Sequence, residues 1–105
     1  MALTDRYDFE HLKNEAEALV FNELEKQLAE RRDGLCRCNE CLGDMAAMVL
    51  NTVKPLYRFS LLGALYASEA INDEAYARSL RDAVADAIEK VSANPSHPPQ
   101  EAPFP

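Results

Sequence analysis

No run of 18 or more apolar residues occurs in the sequence, so no segment has the length and apolarity of a membrane-spanning helix. The first residues, Met1 to Glu10, lack the basic start and apolar stretch of a secretory signal. The expected location is the cytoplasm, with no membrane insertion. Positive charge is also in short supply. Eleven Lys and Arg stand against 18 Asp and Glu, and the formal net charge of -7 repels phosphate backbones and anionic surfaces. Nucleic acid is therefore not an expected partner. Only two histidines are present, and no paired acid and base, nucleophile motif or phosphate loop accompanies them. The expectation is a binding or regulatory module and not an enzyme. Neither an internal repeat nor a heptad run is found.

What is present is the material of one ordinary domain. A chain of 105 residues can bury one modest core, and 48% apolar with 28% charged residues is a globular balance. Phe9, Leu12, Ala16, Leu19, Val20, Leu24 and Leu28 recur at steps of three and four, which predicts a first helix from Asp8 to Arg32. Phe21 lies off that stripe, so the apolar surface is wider than one small core requires and suits cover by a second chain. Gly34 fits the left-handed residue that closes a helix. A second helix is predicted from Asn39 or Glu40 through Thr52, ended by Pro55. Leu56 to Leu62 is equally compatible with an extended piece or a helical turn.

Ala64 to Ala70 is helix-prone. Asn72 then offers an N-cap, with Ile71 and Tyr76 at the positions of a hydrophobic staple. The last helix carries Ala77, Leu80, Val84, Ala87, Ile88 and Val91 on one face and stops at Asn94-Pro95. Five of the six prolines fall between Pro95 and Pro105, which marks an extended tail. The predicted fold class is all-α: a small domain of about four helices over residues 1–94, with a proline-rich tail over 95–105.

The chemistry concentrates in Cys36, Cys38 and Cys41. In a compartment that keeps thiols reduced, three cysteines within six residues, an odd number, read as metal ligands and not as disulfides. Cys38 and Cys41 have the two-residue spacing that converges on one ion, and Cys36 joins them if Cys36 and Cys38 are extended and share a face. Small buried hydrophobes or incidental thiols are the bland alternative, yet three in a polar turn rarely serve packing alone. Zinc (Zn2+) is the expected ion. A closed site needs a fourth ligand. His97 is the chosen candidate, beside His11, Asp44, a group from a second chain, or water.

The run Cys36-x-Cys38-x-x-Cys41-x-x-Asp44-x-x-Ala47-x-x-Leu50-Asn51-x-Val53-x-Pro55-x-Tyr57 resembles the late competence development protein ComFB family. The stretch from Gly63 through Tyr66 to Asn94-Pro95-Ser96-His97 is similar to the later part of that family. The resemblance implies a small helical homodimer with zinc at the cysteine cluster. Some members carry a further cysteine near the C-terminus, which this chain lacks. Members in several bacteria are receptors for cyclic di-GMP, linked to competence, type IV pili and motility. The resemblance therefore implies that nucleotide as a ligand, and the expected function is a cyclic di-GMP sensor that passes the signal to a downstream regulatory protein; the alternative is a zinc-stabilised dimeric adaptor or scaffold with no nucleotide ligand.

A cyclic dinucleotide needs cations for two phosphates and groups that stack on or hydrogen-bond guanine. Arg31, Arg32, Arg37, Lys54 and Arg58 are the cations of the middle of the chain. Asp44 and Asn51 are polar types that read guanine edges, and Tyr57 can stack. The ligand-binding candidates are Arg31, Arg37, Asp44, Asn51, Tyr57 and Arg58. Each has a plainer reading: Asp44 as a helix-dipole partner, Asn51 as a cap, Tyr57 as half-buried packing, and the arginines as a solvated helix end.

Overall fold

The structure, a computed structural model, describes residues 2–31, 34–60, 69 and 72–95. Ala16, Val20, Leu24 and Leu28 repeat at steps of four and are the buried face of the first helix, α1, Ala16–Glu30. The predicted start at Asp8 is eight residues too early. Residues before Ala16 are taken by a different pairing: Lys13–Asn14 (β1) runs antiparallel to Tyr57–Arg58 (β2), with Lys13 opposite Arg58 and Asn14 opposite Tyr57.

One side chain enforces that switch. Asn14 Oδ1 accepts from the backbone N–H of Ala16 at 3.1 Å and of Leu56 at 2.8 Å, while the N–H of Glu15 donates to Leu56 O at 2.8 Å. An Asn that accepts from the residue two ahead competes with helix continuation and starts the helix behind itself. Phe9 and Leu12 extend the apolar period but stay outside the helix, 41% and 50% exposed. Upstream, Leu3–Asp5 forms one 3-10 turn. The fold is thus mostly helical with a two-stranded ribbon, not purely helical.

Helix α1 ends at Glu30 with Arg31 already extended, φ -94 and ψ 137, so the closing residue is not Gly34. Helix α2 spans Asn39–Leu50 and buries Cys41, Met45 and Val49. It stops five residues before Pro55, because the chain tightens: Asn51 and Thr52 donate to Ala47 O and Val49 O, and Thr52 Oγ1 donates to Met48 O at 2.8 Å. Leu56 to Leu62 resolves in part, as Tyr57–Arg58 is extended.

Helix α3, Glu74–Ala93, is capped by Asp73, whose side chain accepts from Ala75 N–H at 3.1 Å. The cap lies one residue past Asn72, and Ile71 of the expected staple lies outside the described residues. So do the helix expected over Ala64 to Ala70, apart from Glu69, and the tail beyond Pro95. Among the described residues there are three α-helices.

The core lies where the three helices meet, with Val20, Met45, Val49, Val84 and Ile88 fully buried. Each such side chain contributes about 1.5–3 kcal/mol of apolar burial. Two polar ties fix α3 to the rest: Tyr76 OH donates to Lys54 O at 2.9 Å, and Gln27 Nε2 of α1 donates to Arg81 O at 3.0 Å. No helix among the described residues is long and apolar enough to cross a membrane.

Candidate metal centre

Extended backbone at Arg31 leads the chain out of α1, and Cys38 brings it into α2 as that helix's N-cap, with φ -73 and ψ 164. This places Cys41 in the first helical turn. The Sγ atoms of Cys36, Cys38 and Cys41 all lie within 4.8 Å of one another. Tetrahedral thiolate ligation at a zinc–sulfur distance near 2.3 Å sets sulfurs about 3.8 Å apart, so a shift of about 1 Å or less brings the cluster to that span. Three thiolates form a soft donor set that suits zinc among common divalent ions. Cys36 is half-buried while Cys38 and Cys41 are buried.

The helix start favours the thiolate of one sulfur, that of Cys38. The backbone N–H of Cys41 donates to Cys38 Sγ at 3.4 Å, and that donor lowers the Cys38 thiol from 9.0 to about 7. Burial has the opposite effect on Cys41 and pushes it up to about 12, with the neighbouring sulfurs adding to the rise. A bound cation reverses that penalty, since a coordinating thiol is deprotonated outright. Of the other candidates, neither His11 nor Asp44 has a ligand atom within 4.8 Å of all three sulfurs. His97 lies outside the described residues.

Arg37, between the first two cysteines, turns back to α1. Its Nη2 donates to Leu28 O at 2.9 Å, an oxygen that also accepts the Arg31 N–H at 3.3 Å, and to Arg31 O at 3.2 Å, so it caps the last turn of α1. The sequence suggested a cation for phosphate here and missed this capping role. Arg37 also lines a groove of about 610 Å³ between α1 and α2, with Phe21, Leu24 and Leu28 on one wall and Leu42, Gly43 and Ala46 on the other. Gly43, an isolated glycine inside the α2 pattern, lies on that wall. At Gly43 an added Cβ would meet nothing within 4 Å.

The six ligand-binding candidates separate. Arg31 and Arg37 sit together at the corner after α1, and Asp44 lies in α2. Asn51 is the C-cap of α2, its N–H closing on Ala47 O, and is exposed. Tyr57 is 61% exposed and lines a different cavity, with Leu12, Asn14 and Phe21. Arg58 is held by Glu15. Of the six, only Arg37 reaches the α1–α2 groove.

The chain matches the family model described as late competence development protein ComFB over residues 13–95. It belongs to the ComFB family. The ComFB match begins at Lys13 of β1 and ends one residue past the cap of α3, so ribbon, cysteine turn and three helices all fall inside it. Among solved structures, that of the late competence protein ComFB from Bacillus subtilis is similar at a TM-score of 0.68 and 25% identity, covering 87% of this chain and 99% of that one. No curated protein matches the chain.

Proposed function

We propose that this ComFB-family chain is a small zinc-binding regulatory protein that works by binding, as a homodimer, and catalyses no reaction. The convergence of three sulfurs within 4.8 Å carries the reading. Three cysteine thiolates and His97, four residues past the end of α3, complete a closed structural site. Such an ion stiffens the corner between α1 and α2 in a protein with one modest core. The exposed side chain of Phe21, between the two cavities it lines, supports cover by a second copy. Its role is that of a cytoplasmic adaptor for a downstream regulatory protein, in competence, type IV pili or motility.

A second reading makes the same dimer a cyclic di-GMP receptor. The observation in its favour is that Arg37 Nη2 reaches the backbone carbonyl of Arg31 at 3.2 Å, which puts two arginines at one corner of a protein of net charge -7. A two-fold dimer doubles that corner and matches a two-fold ligand with two phosphates. The capping by Arg37, the Glu15–Arg58 pair and the separation of Tyr57 from the corner favour the adaptor.

Elemental analysis of protein purified without added zinc tests the metal, with about one ion per chain expected and less than about a tenth of an equivalent sinking it. Phe21→Asp tests the pairing by sedimentation equilibrium. A wild-type dimer that becomes a monomer upholds it; a wild-type monomer ends it. Calorimetric titration of the zinc-loaded protein with cyclic di-GMP separates adaptor from receptor, because heat of binding lost in Arg37→Ala belongs to the receptor alone. Retention of zinc by His97→Ala under a competing chelator would remove His97 from the ligand set.

A further inference from the structure

We propose that Cys38 and Cys41 are a reversible disulfide pair that closes when the protein meets a hydroperoxide, expelling the metal from the turn. The proposal rests on the metal reading for its second half only. Its first half stands on how α2 begins.

Cys38 caps α2 and Cys41 lies three residues on, in the first turn. A cysteine pair with two residues between, opening a helix, is an arrangement that supports thiol–disulfide exchange, because the helix start favours the thiolate of the first cysteine and holds the second beside it. Here the N–H of Cys41 points at Cys38 Sγ from 3.4 Å. The sulfurs lie within 4.8 Å and need to approach by less than about 3 Å to reach the disulfide length of about 2.05 Å. Cys36 is half-buried while Cys38 and Cys41 are buried, so the sulfur cluster borders solvent on the Cys36 side, from which a small hydroperoxide has the shorter approach to Cys38.

The chemistry balances with one peroxide. The Cys38 thiolate attacks a peroxide oxygen; an S–O bond forms, the O–O bond breaks, and hydroxide leaves and takes up a proton as water. Cys41 then attacks the Cys38 sulfur; the S–S bond forms, the S–O bond breaks, and the second oxygen leaves as water with the Cys41 proton. Two thiols have lost two electrons and hydrogen peroxide has become two waters. Disulfide sulfurs are no longer thiolate ligands, and Cys36 alone does not hold the ion. A dithiol reductant reverses the change.

The test exposes the purified full-length chain, zinc-loaded and metal-free in parallel, to hydrogen peroxide. Released zinc is followed with a chromogenic chelator, and thiols by alkylation and peptide mass mapping. The expected result is one zinc released per two thiols lost and a disulfide mapped to Cys38 and Cys41, with Cys36 still open to alkylation. Dithiothreitol with added zinc restores the starting state. C36S keeps the disulfide, and C41S leaves Cys38 as a sulfenic acid trapped by dimedone. Should C41S fail to fold, the mapping in wild type and C36S decides. Cys38 and Cys41 both alkylated after peroxide, a disulfide mapped to Cys36 or between chains, or direct passage to sulfinic acid would overturn the proposal. A disulfide in a chain that never holds metal upholds the thiol pair and overturns the metal reading. Zinc retained with both thiols intact does the reverse.

Discussion

The guanidinium of Arg37 donates to the carbonyl oxygen of Leu28 from 2.9 Å, joining the cysteine turn to the last turn of α1. The same nitrogen reaches Arg31 O, so one side chain caps a helix end and fixes the approach to the cysteine turn. Charged donors on backbone carbonyls are stronger than neutral ones, but Arg37 is exposed and solvent competes. Arg37→Met, which keeps the stem and removes the donors, is expected to lower stability by about 1–2 kcal/mol. Urea unfolding of the zinc-loaded protein measures this, and an unchanged midpoint would show the cap to be idle.

Metal removal is expected to lower the melting temperature without abolishing helix at low temperature. A site filled at about a hundred times its dissociation constant contributes about 2.7 kcal/mol. In a domain of this size that corresponds to about 10–20 °C. Circular dichroism melts with and without a chelator read it directly. The helical signal at low temperature is expected to persist because Met45, Val84 and Ile88 are fully buried by the packing of the helices themselves.

In the metal-free protein the two helix-start thiols are expected to titrate far apart. Cys38 is lowered from 9.0 to about 7 and Cys41 is raised from 9.0 to about 12. The thiolate is the reacting form, so alkylation at each site rises with pH. Iodoacetamide labelling of Cys38 therefore reaches half its plateau near pH 7, while Cys41 stays slow through pH 9. By linkage, the depressed Cys38 pKa adds stability that is present above pH 9 and lost as pH falls through 7. The raised Cys41 pKa adds stability that is present below pH 9 and lost as pH rises toward 12. Equal labelling of both cysteines at pH 8 would contradict the assignment.

Asn14→Ala is expected to cost about 1–2 kcal/mol, because it removes one acceptor shared by the N–H groups of Ala16 and Leu56. Asn14→Asp retains an acceptor oxygen and should recover most of the loss. Hydrogen exchange at the Leu56 amide gives the site-specific reading, with protection lost in the Ala variant and kept in the Asp variant.

The buried stripes of α1, α2 and α3 were legible in the chain, since Val20, Leu24, Leu28, Met45, Val49, Val84 and Ile88 follow the helical period and are the core. The period overran at Phe9 and Leu12 because periodicity does not register a competing partner. The partner of Lys13 and Asn14 lies more than 40 residues away, at Tyr57 and Arg58. The cysteine turn was legible for a local reason: two-residue spacing at a helix start converges sulfurs within a few residues. The dispersal of Arg31, Asn51, Tyr57 and Arg58 was not legible, since it depends on how the ribbon and helix ends pack.

The sequence by itself determined the three-sulfur cluster and the buried faces, because each depends on neighbours within one or two helical turns, and the family, because its motif is a run of residue types from Cys36 to Tyr57. Tertiary structure decided what surrounds the cluster. Only packing of α1 beside α2 aims Arg37 at the Leu28 carbonyl and opens the groove between Phe21 and Gly43, and only pairing with Leu56 and Tyr57 makes Asn14 the start of α1. The groove and ribbon contacts join residues far apart in the chain, and the Arg37 contact spans a corner whose direction is set by helix packing; a residue pattern carries neither distance nor direction.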